Sequence, residues 1–462
     1  MISFDKIAGY LPEVAGAKGR RLSFKEKATW TLVTLVLFYL LGRIPLFGLG
    51  DNALQQFEYL SVILGAEFGS LISLGIGPLV TASIVLQLLT GSGILKFELT
   101  TSEGKRKFQA VQKLSSFFFI LFEASIYVLM GGLAPASTYA GTSIYTQLQL
   151  MLILQLFIGG LLIMFMDEVV SKWGFGSGIS LFIAAGVSQS IFIRAFSWTA
   201  SPSNPDISTG AVWAFFQSLG TSNLSESALL LSSIIATVAV FAIAVYAQGM
   251  KVEIPLSFGR IRGHGIRWPL SFIYTSNIPV ILVSALIANI QLWARLLQNW
   301  GYPVLGTFAG NSPASGLVSW IYAPPIMQKI ITMSLTPPDI LQALFYVCFM
   351  MIGAVIFSYF WVQTAGMDSR SQAKQMISSG LQIPGFRRDE RILEHLLDRY
   401  IGPLTIMGAL SVGFLAAFAD ITGALVHGTS LLLTVMIVYK LYEDIAKQHM
   451  MDMHPLMRRF ME

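Results

Sequence analysis

The sequence predicts an all-α membrane protein of ten transmembrane helices in two sets of five, and three observations predict it. First, 54% of the 462 residues are hydrophobic and only 12% are charged, about half the charged share of a soluble domain, and mean hydropathy is +0.66. Second, ten mostly apolar stretches approach the ~20 residues that cover a ~30 Å hydrocarbon core. Third, Lys and Arg gather in alternate loops, as they do on the cytoplasmic side of a membrane.

Residues 1–27 are expected as a cytoplasmic, amphipathic N-terminal segment that carries Lys6, Lys18, Arg20, Arg21, Lys25 and Lys27. It has no charged n-region, apolar h-region and small-residue cleavage site in series, so no cleaved signal peptide is expected. The expected spans are 28–48, 74–91, 109–132, 146–166, 178–197, 228–247, 270–291, 340–364, 400–420 and 425–445. Three loops are basic: the one after span two (Lys96, Lys105, Arg106, Lys107), residues 248–269 after span six, and 365–399 after span eight. Residues 133–145 carry no Lys or Arg, and 292–339 carry only Arg295 and Lys329. Both termini are therefore expected in the cytoplasm, in a multi-pass protein of the cell membrane.

The polar stretch 198–227 separates an N-terminal half, 28–197, from a C-terminal half, 228–445; a cytoplasmic tail, 446–462, follows. Five spans per half would give two repeats opposite topologies and put a pore or site at their interface. No self-similarity between the halves is visible in the sequence itself. Asn223-Leu224-Ser225 is a glycosylation-type triplet on the expected outer side, a short and weak motif.

The second span is interrupted. An amphipathic piece, Gln56 to Glu67, is followed by Gly75, Gly77 and Pro78 and then by the apolar run Leu79 to Leu89. Helix broken at membrane depth exposes backbone groups that lipid cannot satisfy, so it must be buried in protein or line a wet cavity. That points to a conduit.

Catalytic and energy-coupling constellations are missing. Gly174-Phe175-Gly176-Ser177-Gly178 and Glu103-Gly104-Lys105-Arg106 lack the strand, loop and Lys-Ser/Thr ending of a phosphate loop, and read as turns. His449 and His454 lie with Asp452 in a polar tail that reads as solvated. Cys348, the single cysteine, excludes a disulfide framework and reads as packing. No enzyme activity, cofactor or metal is expected. Glu123 is the one clearly central ionisable residue; Asp167, Glu168 and Asp420 fall near span ends. A charge at the bilayer centre costs about 2.5–3.5 kcal/mol or more, so Glu123 is either a polar contact at an interface that opens or a hydrogen-bonded buried acid. Asn277, in Tyr274-Thr275-Ser276-Asn277-Ile278-Pro279, is a comparable polar interruption, and the two together would make a weak helix seam.

Ile76 with Val80 and Ile179 with Ile183 are aliphatic pairs on one helix face. Spacing alone suits core packing or a lipid-facing surface. Position adds another reading, because both pairs follow glycine-rich breaks, where a hydrophobic ring can close a water path by dewetting.

The segments GSLISLGIGPLVTASIVLQLLTGSGIL (69–95), VSKWGFGSGISLFIAAGVSQSIF (170–192), KVEIPLSFGRIRG with YTSNIPVILVSALIANIQLW (251–293) and GALVHGTSLLLTVMIVYKLYE (423–443) resemble the SecY family, the pore subunit of the general protein translocase. Their phrasing is closer to the archaeal and eukaryotic branch. The resemblance implies two inverted five-helix halves around a central pore with a short plug helix, and a passive channel that passes unfolded secretory chains across the membrane and releases membrane segments sideways into lipid.

It further implies a pore ring of Ile76, Val80, Ile179, Ile183, Ile281 and Leu433. The plug corresponds to about residues 57–67, with Phe57, Tyr59, Leu60, Val62, Ile63 and Leu64 as its apolar side chains. A lateral gate between spans two and three and spans seven and eight would include Thr81, Gln87, Glu123, Ser276 and Asn277. Arg260, Arg262, Arg387 and Arg388 match loop tips that dock a partner, with a ribosome ahead of a cytosolic motor, since Arg and Lys bind the phosphate surface of RNA. Implied partners are a SecE-like gamma subunit, a small beta subunit, signal sequences, nascent polypeptides and membrane lipids. The rival reading is an inverted-repeat secondary transporter of a small solute, which explains broken helices equally well but not the basic loops or the scarcity of central charges.

Overall fold

Helix starts in this chain are set by local chemistry. The computed structural model describes residues 12–16, 22–52, 67–91, 94–95, 97, 102–199, 208–220, 224–258, 265–275, 278–299, 301–309, 312–378, 381–382 and 389–453. Ten long helices follow the ten apolar stretches: α1 (Phe24–Leu41), α2 (Gly77–Gly91), α3 (Ser102–Leu129), α4 (Ser143–Trp173), α5 (Gly178–Phe196), α6 (Leu224–Gly249), α7 (Ile278–Asn299), α8 (Pro337–Thr364), α9 (Glu390–Ile421) and α10 (Gly428–Met453). Seven of them are long and apolar enough to cross a membrane by length and composition. The other three are α1, with Lys25, Glu26 and Lys27 in its first turn; α2, only 15 residues long; and α10, whose second half carries Lys440, Glu443, Asp444 and Lys447.

The caps are readable residue by residue. Ser23 and Glu26 form a reciprocal capping box on α1, with Glu26 N–H to Ser23 Oγ at 3.3 Å and Ser23 N–H to Glu26 Oε2 at 3.1 Å. At the start of α8, whose first turn holds Pro337 and Pro338, Asp339 Oδ2 accepts from the Thr336 N–H at 2.9 Å and from the Thr336 hydroxyl at 2.6 Å. Asp389 accepts from the Arg391 N–H at 2.9 Å at the start of α9.

The chain divides into two compact units, Met1–Gln189 with Ile437–Glu462, and Ser190–Met436. In the first, β1 (Leu49–Asn52) pairs antiparallel with β2 (Leu133–Pro135), with an irregularity between Leu49 and Asp51. Phe38 of α1 stacks on Phe182 of α5 with ring centroids 4.5 Å apart. The end of α10 packs against the start of α1: Lys27 donates to Gln448 Oε1 at 3.0 Å, and the Phe24 and His449 rings are 5.6 Å apart. Residues 446–453, expected as solvated tail, are therefore helical, and His449 is a packing partner.

In the second unit, β3 (Lys251–Phe258) and β4 (Gly265–Ser271) form a hairpin. β7 (Leu381–Gln382) joins the free edge of β3, giving the order β4-β3-β7. An apolar cluster around Ile254, Leu270, Ala373, Met376, Leu393, Leu397 and Ile401 supports this sheet. A second hairpin, β5 (Thr307–Ala309) with β6 (Ser312–Ser315), lies between α7 and α8.

Three expectations are corrected. The stretch 198–227 is more than a linker, since Ala211–Gly220 is a helix with Trp213 Nε1 bonded to the Phe196 carbonyl at 3.0 Å. Span seven was expected from residue 270, but α7 begins at Ile278; β4 occupies the chain to Ser271, and Pro279 suits a helix first turn. Cys348 is exposed on α8 and is not a packing residue.

Candidate functional site

The first unit holds four of the six expected ring residues, at the starts of two helices. Ile76 immediately precedes α2 and is 2% exposed; Val80 lies one turn further on, half-buried. Ile179 and Ile183 occupy the first turns of α5, with Ile183 at 4% exposure. The start of α5 is pinned from α4, where Asp167 Oδ1 accepts the Ile179 N–H at 2.9 Å. The preceding turn is held by Thr31 of α1, whose Oγ1 accepts the Phe175 N–H at 3.0 Å. α4 passes so close to this point that a β-carbon on Gly178 would sit 2.6 Å from Asp167 Cα.

Thr81 and Glu123, both expected at a lateral gate, come together between α2 and α3. The Thr81 hydroxyl donates to the Gly77 carbonyl at 2.9 Å and lies within hydrogen-bonding reach of the Glu123 carboxyl. Two residues further along α2, Ser83 Oγ accepts from Gln112 Nε2 at 2.7 Å. A half-open cavity of about 520 Å³ is bounded by Leu79, Ser83, Gln112, Lys113, Asp167 and Ile179 among others.

Beside that cavity, residues 12–16 are tied down by polar side chains of α3 and α4. Lys113 pairs with Glu168 and donates to the Pro12 carbonyl at 2.5 Å, while Glu168 Oε2 accepts the Val14 N–H at 2.9 Å. Lys172 reaches both Glu13 Oε1 and the Val14 carbonyl at 2.6 Å, and Trp173 Nε1 donates to the Ala15 carbonyl at 2.8 Å. The Lys172 ammonium, by hydrogen bond and by charge, holds the Glu13 carboxyl below the usual carboxylate range.

The second unit holds the other two expected ring residues. Ile281 is half-buried in the first turn of α7, and Leu433 is 1% exposed in the second turn of α10. An aspartate from the preceding helix again holds a helix start: Asp420 Oδ1 accepts the Gly428 N–H at 2.7 Å, and Oδ2 accepts the Tyr346 hydroxyl at 2.7 Å. His427 Nδ1 is 3.4 Å from the same carboxyl. A β-carbon on Gly428 would lie 2.1 Å from the Ala416 carbonyl oxygen.

Sequence reasoning missed the roles of Asp167 and Asp420. A capping signal is read from a residue adjacent to the helix it caps, whereas these two sit on the preceding helix and reach across a turn. The plug residues Phe57, Tyr59, Leu60, Val62, Ile63 and Leu64, the gate residues Ser276 and Asn277, and Arg260, Arg262, Arg387 and Arg388 lie outside the described residues, as does the side chain of Gln87. Among the described residues no cluster of His, Cys, Asp or Glu is arranged to hold a metal ion.

Long apolar helices, and two helix starts pinned by a carboxylate from the preceding helix, define a multispanning α-helical membrane protein. Comparison with known proteins narrows this. The SecY family model matches residues 70–442. The protein translocase subunit SecY of Methanothermobacter thermautotrophicus is 45% identical, covering 99% of this chain and 98% of its own. A solved SecY structure, in which the plug domain is described as stabilising the closed state of the translocation channel and maintaining a membrane seal, matches with TM-score 0.79 at 40% identity over 97% of this chain and 98% of that one. Sec61 in the canine ribosome–channel complex from the endoplasmic reticulum matches with TM-score 0.78 at 38% identity over the same shares. This chain belongs to the SecY family, in its archaeal and eukaryotic branch.

Proposed function

We propose that this chain is the channel-forming subunit of a protein translocase, conducting unfolded secretory polypeptides across the membrane and releasing apolar segments into lipid. The observation that carries the reading is the placement of Ile76, Val80, Ile179 and Ile183 at the starts of two helices, in a chain whose relatives are protein-conducting channels. Aliphatic side chains suit the waist of such a pore because they offer an arbitrary polypeptide no specific hydrogen bond, so they close around it without holding it. Ile281 and Leu433 complete the proposed ring.

The segment about 57–67 is the proposed plug, and Thr81, Gln87, Glu123, Ser276 and Asn277 are the proposed gate. The pore is passive, and a bound partner supplies the driving force. Pairing of Ser257 with Gln382 and of Phe258 with Leu381 joins both basic loops in one sheet. Arg260 and Arg262 in one loop and Arg387 and Arg388 in the other are the proposed docking residues, since guanidinium groups suit the phosphate backbone of ribosomal RNA. Small gamma and beta subunits are the expected companions. Both termini face the cytoplasm in this reading, with the basic loops.

Photocrosslinking to a stalled secretory nascent chain tests it. A probe at Ile183 is expected to give signal-dependent adducts while one at Ile153 gives none. Equal labelling, or none at Ile183, would overturn the pore assignment.

A further inference from the structure

The two units solve one construction problem in the same way. α5 and α10 each carry expected ring residues in their opening turns, and each follows a turn that returns from the helix before it. A helix start leaves its first N–H groups without intrahelical acceptors. In water, solvent would supply them. In each unit a carboxylate from the preceding helix does so instead: Asp167 of α4 bonds Ile179 N–H at 2.9 Å, and Asp420 of α9 bonds Gly428 N–H at 2.7 Å. In each unit the first residue of the capped helix is a glycine packed so tightly that a β-carbon would collide, 2.6 Å from Asp167 Cα at Gly178 and 2.1 Å from the Ala416 oxygen at Gly428. Ring residues follow closely, Ile179 and Ile183 in one case and Leu433 in the other.

We infer that Asp167 and Asp420 are an equivalent pair of positioning residues, one per unit, that fix the axial placement of α5 and α10 and thereby hold the ring side chains in the closed arrangement. The inference rests on the channel reading. A carboxylate bonding a helix N-terminus makes a charge-assisted hydrogen bond that is also favoured by the helix dipole. Releasing it frees the helix to slide or to fray from its start, and the ring residues lie in its first two turns. The glycines act with the aspartates, because only hydrogen at that position lets the preceding helix approach closely enough for the carboxyl to reach. Asp420 is itself aimed by the Tyr346 hydroxyl at 2.7 Å, so Tyr346 supports it from α8.

The test is chloride efflux from proteoliposomes that hold the full chain with its companion subunits and no translocating substrate. Asp167→Ala and Asp420→Ala should each raise efflux roughly tenfold, near the lower end of what one hydrogen bond to a charged group is worth. Asp167→Asn and Asp420→Asn, which keep an acceptor oxygen but lose the charge, should leak less than the alanine variants. Gln155→Ala and Gln298→Ala delete comparable side-chain bonds to backbone, at Phe47 and Phe308, away from both helix starts. They should lower thermal stability without leak. If an alanine variant fails to accumulate, Gly178→Ala and Gly428→Ala disturb the same two points and should leak.

Equal leak from the glutamine controls would reduce the effect to general destabilisation and overturn the inference. Asparagine variants as leaky as the alanine ones would overturn its hydrogen-bond basis. Ile76→Asn is the reference for the ring itself: if it leaks while the aspartate variants stay tight, the positioning role falls and the channel reading stands, whereas if Ile76→Asn is also tight, the channel reading falls and takes this inference with it.

Discussion

The two units secure segments outside their long helices by opposite means. In the first, residues 12–16 are bound to α3 and α4 by Lys113, Glu168, Lys172 and Trp173, through ion pairs and side-chain bonds to backbone. In the second, a backbone-paired sheet, β4-β3-β7, lies on an apolar cluster whose members Ala373 and Leu397 are fully buried. Charged contacts near a surface are screened by salt and depend on protonation. Apolar burial is indifferent to both. The first unit's attachment is therefore adjustable by solution conditions, and the second unit's is sensitive to shape.

The largest effect expected from that contrast is in the second unit. Leu397→Ala should cost about 2–5 kcal/mol through lost burial and the cavity left behind. It would be read as a fall in thermal stability and as protease cleavage near residues 251–271, with no dependence on ionic strength. Next comes Glu168→Gln in the first unit. Its side chain is 17% exposed and its partner Lys113 14% exposed, so the loss should be about 1.5–3 kcal/mol, the range for hydrogen bonds to charged groups. Residues 12–16 should then be cut by protease while the sheet remains protected. A Lys113→Met and Glu168→Gln double-mutant cycle with no coupling would erase the contrast between the units.

The smallest effect belongs to Glu13, whose side chain is 71% exposed. Exposed pairs are worth less than about 1 kcal/mol. Its folded pKa lies below the ordinary value of 4.5 because of Lys172, so its contribution is complete above that value and disappears as pH falls through the lowered one. Glu13→Gln should abolish that part of the acid dependence. An unchanged acid limb would remove Glu13 from the attachment.

Hydrophobic length and turn residues made the helices legible. Span four, expected at 146–166, is the core of Ser143–Trp173, and span five, expected from residue 178, begins at Gly178. The three-stranded sheet was not foreseen, although Lys251-Val252-Glu253-Ile254 alternates polar and apolar residues as a strand does; the basic charges nearby made the segment read as a loop. Its third strand is only two residues long and has no local signal, because it exists only through pairing with β3. Of the candidate site, aliphatic residues after glycine breaks could be read in order. The aspartates could not, since Asp167 and Gly178 are joined by a turn whose geometry no spacing rule specifies. Glu123 was legible as a polar exception and Thr81 only through the family resemblance, and their proximity required the packing of α2 on α3.

β3 finds its outer neighbour in a strand that the chain supplies only after α7 and α8 have been made. At about 5–20 residues per second of synthesis, the free edge of β3 waits several seconds for β7, with its backbone groups available to any passing strand. The sheet of the second unit is therefore among the last pieces to mature, and a newly made chain acquires it complete only when biosynthesis has nearly ended.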